Sequence, residues 1–591
     1  MPLSPSPDLS SSRRLLLTGV LTTLGVLAYL VWRVHDVATS LGDTDDAMRL
    51  VLVRDLLHGR GWYDQWVGRL QPPFGVYMHW SRLLDGALAV LNAALAGVLA
   101  PAQAETAMRF VWPLMWIFPV TLAGLAVARS VGGRSAVFVC AILLVLDISL
   151  YVQFRPGRID HHDIQITMTM VAAACALVQG DRQARWPALA GAASALGLAI
   201  GVEALAFHAL IGASFALGLM ADRKAAAAAR AYGLALALAS LAFFTLQTPP
   251  SRWLLPFCDA IGANLVAALV VGGLGLALAA ALADRLPAWG RIAGVALAGA
   301  VAGGVYVALD PICLHGPFAS VDPRVRSFWF DHIQELEAWP ALLHEDRNAA
   351  LHSIVAGVLA ALAAVWLAVR GWRQPRRGEI LLAACTALAV AAQAKAYRME
   401  DYGLWFGTPA LAIVLSDLGA RLLKDRMIPV ALMAVLLSPA TLADAAIFAA
   451  GRGAGHPARV PIDRCYDTAS YGPLARLPAG LVLAEPDLGS FVLANTGDTA
   501  LSAPYHRMTW GILAAHDVLA APAAQAEAQV RALRVGYIVD CPVHVLRTPQ
   551  GGLGGDLRRG RPPAWLQPLS RPGQALQIYR VAPAAAPQGR P

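Results

Sequence analysis

Runs of about 18 or more apolar residues, broken by short charged turns, recur from Leu15 to Ala449. A run of that length is what an α-helix needs to cross the hydrocarbon core of a bilayer. Composition agrees: 57% of the 591 residues are hydrophobic and 15% are charged, whereas a soluble globular domain carries roughly 25% charged residues. The chain therefore reads as a polytopic α-helical membrane protein. Its net charge of +8 is dispersed over short turns. No basic stripe with interleaved aromatics appears, so the charge reads as an orientation signal and not as a nucleic-acid surface. The run from Leu15 to about Val31 follows Arg13 and Arg14. It is too long for a signal-peptide core and has no small-residue cleavage site, so it is expected to be a retained first span.

Arg and Lys cluster at 13–14, 129–134, 182–185, 223–230, 285–291, 370–377 and 421–426. The positive-inside rule places all seven clusters in the cytoplasm. Spans near 14–34, 110–129, 135–153, 164–179, 187–202, 203–220, 231–247, 261–283, 291–308, 349–370, 379–394, 404–420 and 427–449 satisfy every loop, about 13 in all. The apolar run 86–100 is short for a crossing, and counting it would invert every later loop. It is expected to be an embedded or interfacial helix within the first external loop. Residues 187–220 read as a hairpin turning near Gly201-Val202-Glu203. The external face then gathers 35–109, 154–163, 309–348, 395–403 and everything beyond about 450. The expected location is a plasma (inner) membrane, with the N-terminus on its cytoplasmic side.

From about Gly451 the apolar runs shorten to strand length, at Leu481–Leu483, Phe491–Leu493, Val535–Val539 and Leu576–Tyr579, with one helical stretch at about 511–533. That alternation predicts a small extracytoplasmic α/β domain over 451–582, after a membrane unit over 1–450. The tail 583–591 is expected to be disordered. Of the seven cysteines, Cys140, Cys175 and Cys385 lie within spans and read as inert packing residues. Cys465 and Cys541 share the external domain and are candidates for a disulfide in an oxidising compartment, as are Cys258 and Cys313 near external loops. No CxxC pattern supports a zinc ribbon.

Two short acidic clusters stand just beyond the ends of apolar runs: Gly42-Asp43-Thr44-Asp45-Asp46 and Arg158-Ile159-Asp160-His161-His162-Asp163. Carboxylates and imidazoles at a membrane boundary are costly to desolvate unless a cation binds them. Asp oxygen plus imidazole, with no thiolate nearby, suits Mn²⁺ or Mg²⁺. Charge parity puts both clusters on one face, as a shared site requires. Each also has a plainer reading: the first can cap the helix from about Ala47 to Leu57, and the second can be a loop of internal ion pairs. Gly61-Trp62-Tyr63-Asp64, Pro72-Pro73, His79-Trp80-Ser81-Arg82 and Asp85 form an aromatic-rich stretch, suited to an interfacial belt or to a platform for a sugar or lipid headgroup. Glu335 falls within the acidic string 331–337, and Arg398 stands at the external end of a span. Such an arginine suits interface snorkelling or a phosphate clamp.

Together these residues resemble the GT-C superfamily of membrane glycosyltransferases, and within it the catalytic subunit of oligosaccharyltransferase in its archaeal and bacterial single-subunit forms. That family carries an Asp followed shortly by an Arg in its first external loop, as Asp43 and Arg49 do here. Tyr63-Asp64-Gln65-Trp66, Pro72-Pro73…Asp85 and Asp160-His161-His162 are similar to further family stretches. The resemblance implies a metal held by Asp43, Asp160 and His162, a donor-phosphate arginine at Arg398, and a loop glutamate at Glu335. The family's Trp-Trp-Asp-Tyr-Gly acceptor motif is absent. In its place stands Ala503-Pro504-Tyr505-His506-Arg507, which suits either a site-facing segment or an ordinary loop with a packed Tyr505.

The expectation is a metal-dependent, inverting glycosyltransferase. It takes a sugar from a polyprenyl-(di)phosphate donor and passes it to a lipid or surface polysaccharide on the external face. Asp43, Asp45 and Glu335 are its candidate catalytic carboxylates, and Asp46, His161, Trp80, Tyr505 and His506 are candidate sugar or acceptor contacts. Two other readings stay open: a protein N-oligosaccharyltransferase with diverged acceptor recognition, and a transporter or flippase of lipid-linked substrates. Transporters place ionisable groups near the midplane in broken helices, whereas here the acidic sets lie at one boundary.

Overall fold

A computed structural model describes residues 9–34, 36–178, 184–373, 376–424, 426–451, 463–542, 551–571 and 573–583. Long runs of Ala, Leu and Val with few polar interruptions form helices, and all thirteen expected spans fall on them. They are α1 (Leu9–Arg33), α4 (Pro101–Leu146), α5 (His162–Leu177), α6 (Arg185–Ile200), α7 (Leu205–Ala221), α8 (Ala226–Gln247), α9 (Ala263–Ala281) and α10 (Ala288–Leu309), then α13 (Arg347–Arg373), α14 (Arg377–Gln393), α15 (Glu400–Leu423), α16 (Met427–Leu436) and α17 (Pro439–Ala449). Among the described residues seven helices are each long and apolar enough to cross a membrane, or eight if α16 and α17, bent by 44°, form one span. Helix α4 carries two expected spans. At 46 residues it far exceeds one crossing, and Gly133, at φ 78°, breaks its path between them. Helices α5, α6, α7 and α14 run 16 or 17 residues. They are short because polar residues take over at their ends.

Small residues let the bundle close tightly. A Cβ on Gly191 of α6 would meet the Tyr232 carbonyl of α8 at 2.4 Å, and one on Gly233 would meet the Gly273 carbonyl of α9 at the same distance. Close approach of this kind gains packing contacts where hydrophobic burial supplies no drive between helices. Glu203 sits in the turn between α6 and α7. The far end of α7 meets Arg291 and Arg377, at Leu219 and Ser214, so it returns toward the turns where the basic residues gather.

At the other end lie the elements of the first long loop: α2 (Thr44–Leu57), a hairpin of β1 (Trp66–Val67) and β2 (Val76–Tyr77), and α3 (Arg82–Ala96). Residues 86–96 of the ambiguous apolar run 86–100 fall in α3, which packs on α2 and α4. Short helices α11 (Pro323–Phe328) and α12 (Trp339–Glu345) lie in the loop before α13.

The C-terminal segment forms a five-stranded sheet ordered β4-β3-β5-β7-β6. The strands are β3 (Leu481–Ala484), β4 (Thr499–Ala500), β5 (Val535–Asp540), β6 (Leu566–Pro568) and β7 (Gln577–Val581). Strands β4, β3 and β5 are parallel, and β7 and β6 add antiparallel. Helices α18 (Asp463–Tyr466), α19 (Gly472–Ala475), α20 (Pro486–Asn495), α21 (Thr509–Ala520), α22 (Ala523–Ala532) and α23 (Gly552–Arg558) accompany it. Two expectations are corrected. Phe491–Leu493 is not a strand but the last turn of α20, a helix buried nearly all round, so its apolar run lacks helical spacing. The stretch 511–533 is two helices, parted at Ala521-Pro522 because the pyrrolidine ring cannot continue α21. The expected disordered tail lies almost wholly outside the described residues. Cys258–Cys313 and Cys465–Cys541 are disulfides, and Cys140, Cys175 and Cys385 are free and buried.

First loop and sheet are joined. Leu70 bridges to Ala500 and Ser40 to Asp467. Arg69 donates to the carbonyls of Leu493, Thr496 and Asp498 at the C-terminal end of α20, where a cation complements the helix dipole.

Candidate functional site

Asp43 ends the loop after α1 in extended conformation. Its carboxylate accepts from the Asp45 and Asp46 amides, capping α2, and Asp46 caps back onto the Asp43 amide. The plain capping reading of this cluster is thus correct for two of the three carboxylates. Asp46 does more: its other oxygen accepts from the amides of Ile159 and Asp160, at 2.7 and 3.1 Å, which stitches the two acidic clusters together. Arg158 lies between them, in contact with Asp43, 3.2 Å from Asp46 and 3.7 Å from Asp160.

Asp160 and the start of α5 form the densest part. Asp160 contacts His161 Nδ1 at 2.5 Å and His162 Nε2 at 3.3 Å. From the α6–α7 turn, Glu203 reaches both imidazoles and receives Arg398 at 2.6 Å. Arg398 also lies 3.1 Å from His162 Nε2. Guanidinium only donates, so His162 Nε2 presents a lone pair, and its proton sits on Nδ1 toward Glu203. No hydrogen then separates His162 Nε2 from the Asp160 oxygen. That single lone pair is taken by Arg398, so His162 joins Asp160 on a cation only when the guanidinium turns away from Nε2. Asp160, His161 and His162 offer ligand atoms within 4.8 Å of one another. Asp43, the third residue of the expected metal set, stands apart from these three, across Arg158.

The electrostatics follow from burial and charge together. Burial opposes ionisation of Asp160, yet His161, His162 and Arg158 hold it well below the usual carboxylate range. Burial also opposes charge on His161, but Asp160 and Glu203 push it up to about 10, while burial and His161 push His162 down to about 4. Burial raises Asp45, and Asp160, Asp43 and Glu335 reinforce the shift. Enclosure raises Glu335 as well; Arg398 opposes this and Asp43 adds to it.

These groups share a cavity of about 410 Å³ lined by Asp43, Asp45, Trp80, Asp160, His161, Glu203, Glu335, Arg398, Tyr505 and His506. Asp46 and His162 lie behind its wall. Trp80 is held by Arg49, whose guanidinium stacks 4.4 Å from the ring. Arg49 and Arg82 both pair with Asp85, at 2.8 and 3.2 Å, and none of the three side chains is solvent-exposed. Tyr505 is both packed and site-lining: it meets Trp80 edge-on at 5.3 Å and bonds Ser490 and the Thr44 carbonyl. Elsewhere in the lining Arg507 grips Asp259 with two bonds, His506 lies 2.7 Å from the same carboxylate, and His79 stacks edge-on against His506. Burial opposes ionisation of Asp259, but His506 and Arg507 hold it far below its ordinary value.

Sequence reasoning passed over Arg158, Glu203 and Asp259 as functional residues. Arg158 carried a signal, since it opens the second cluster. Glu203 and Asp259 are solitary charges in short turns, and only the fold supplies their partners.

No known family model and no curated protein sequence matches the chain. Solved structures do. The apo oligosaccharyltransferase of Archaeoglobus fulgidus superposes with a TM-score of 0.69 at 16% identity, covering 89% of this chain and 69% of that one. The same organism's enzyme AglB, with an inhibitory peptide and a dolichol-phosphate, gives 0.67 at 15% identity, covering 90% and 70%. A complex with Zn and sulfate gives 0.59 at 14% identity, covering 89% and 68%. This chain thus has the GT-C membrane-protein fold in its oligosaccharyltransferase-like form.

Proposed function

We propose that the chain is a metal-dependent glycosyltransferase of a plasma (inner) membrane, with its N-terminus cytoplasmic. It moves a sugar or oligosaccharide, with inversion, from a polyprenyl-(di)phosphate to an acceptor at the extracytoplasmic face. Residues 1–450 form the catalytic membrane unit and 451–582 its external domain. The observation that carries this reading is the convergence of Asp43, Asp45, Asp160, Glu335 and Arg398 on one cavity at one end of the bundle. The A. fulgidus enzyme, of like fold, binds a dolichol-phosphate.

The chemistry follows from the residues. Arg398, steadied by Glu203, binds the anionic phosphate and receives the negative charge that grows as the bond from phosphate oxygen to anomeric carbon breaks. Asp45 and Glu335, made more basic by enclosure, are placed to take the proton of the attacking acceptor group. Asp160 and His162, with Asp43 brought in from Arg158, would hold Mn²⁺ or Mg²⁺, which when bound supplies further positive charge at the leaving phosphate. The acceptor is a lipid or surface polysaccharide, since the motif that reads a protein sequon is absent.

The test is metal-dependent consumption of a panel of polyprenyl-linked sugars by the purified protein, with added acceptor lipids or a sequon peptide. Glycopeptide formation would establish the protein-acceptor reading instead. Flux across liposomes with no sugar transfer would establish a flippase and sink this one. Glu203→Gln keeps the shape but loses the charge facing Arg398. A charge-assisted hydrogen bond is worth about 1.5–3 kcal/mol, so the KM for donor is expected to rise about tenfold or more, with kcat changed less. Initial rates over a donor series check the split.

A further inference from the structure

The same cavity has a second cluster of metal-ligating side chains. His79 follows the first-loop hairpin, Asp259 lies between α8 and α9, and His506 lies beyond β4. Parted by up to 427 residues of sequence, they bring ligand atoms within 4.8 Å of one another. From this geometry we infer a second cation site, made of His79, Asp259 and His506, that takes a borderline divalent transition ion. Two imidazoles and one carboxylate, with no thiolate, are a ligand set for Zn²⁺, Co²⁺ or Mn²⁺, and three protein ligands leave positions open toward the cavity.

Three observations support the site. The ring of His79 is underused: its Nδ1 is buried and has no hydrogen-bond partner among the described residues, a state that native structures rarely leave unanswered. The carboxylate of Asp259 is oriented from outside by Arg507, at 2.7 and 2.8 Å, as outer residues orient metal-binding groups. Its backbone is anchored by the neighbouring Cys258–Cys313 disulfide. The third candidate group, Cys258, Asp310 and Cys313, carries no such inference, because both sulfurs are spent in that disulfide.

Co²⁺ is the probe. The full chain in detergent is stripped with chelator, dialysed against Co²⁺ and read by metal content and d–d absorption. Wild type is expected to hold two equivalents. His79→Ala and His506→Gln are each expected to hold one, with a changed d–d band. Asp160→Ala also loses one, but keeps the band that His79→Ala loses. Metal-free thermal melting of His79→Ala matching wild type confirms that the variant is folded. Retention of the full Co²⁺ complement by both His79→Ala and His506→Gln overturns the inference and marks the cluster as an ion-pair clamp between the loops. Loss of metal only in the His79 and His506 variants would uphold it while removing the metal from the proposed transfer site.

Discussion

Asp160→Ala is expected to lower sugar transfer by about a thousandfold or more while the protein still inserts and melts as wild type does. Removing one preorganised electrostatic element from a transfer site typically costs about 10²–10³ in rate. Asp160 is shared by five partners: His161, His162, Arg158, Arg49 at 3.9 Å and the Asp46 carboxylate that accepts its amide. The fold survives because the backbone bond to Asp46 remains and Arg158 keeps both Asp43 and Asp46. The measurements are initial transfer rate and detergent-phase melting, made together. Wild-type transfer by this variant would end the assignment of the metal and donor site to this cluster.

The second large effect is on stability. Asp85 neutralises two guanidiniums, Arg49 and Arg82, in a place where none of the three side chains reaches solvent. Asp85→Ala leaves both cations buried, and breaking a buried pair by removing one partner is destabilising by about 3–5 kcal/mol. Arg82 keeps carbonyl acceptors at Gly61, Trp62 and Asp64, whereas Arg49 keeps only the longer carboxylate contact to Asp160, at 3.9 Å, so most of the loss falls on Arg49. In Asp85→Ala/Arg49→Met much of that loss is expected to be recovered, because the uncompensated charge goes with the arginine. Equal melting temperatures for wild type and Asp85→Ala would refute the argument. Asp85→Ala also tests the cavity, because Arg49 carries Trp80.

The helices were legible because hydrocarbon imposes its thickness on sequence: an apolar run of the right length has one economical fate. The C-terminal part was less so. A short helix buried on every side, such as α20, shows no polar face, so Phe491–Leu493 reads like strand. The proline at its first turn, Pro486, was the available clue. In the site, the acidic clusters were visible because several ionisable residues sit together. Arg398 was visible because it stands at the end of an apolar run. Glu203 was invisible for a physical reason: its chemistry comes from His161, His162 and Arg398, and no local pattern encodes contacts that span 41 to 195 residues of sequence.

One buried apolar cluster runs from Leu41 and Val51 in the first loop, through Trp329 and Phe330, to Phe491, Tyr505 and Ile578 near the C-terminus. The bridge from Leu70 to Ala500 and the grip of Arg69 on α20 belong to the same junction. During synthesis, the wall of the cavity that holds Asp43 and Trp80 emerges more than 400 residues before the Tyr505 that packs against it. The ribosome therefore releases an open half-site first, with its apolar face uncovered until those 400 residues have been added. The cavity closes only once the segment from Tyr505 to Ile578 has emerged, which couples competence for chemistry to synthesis of that segment.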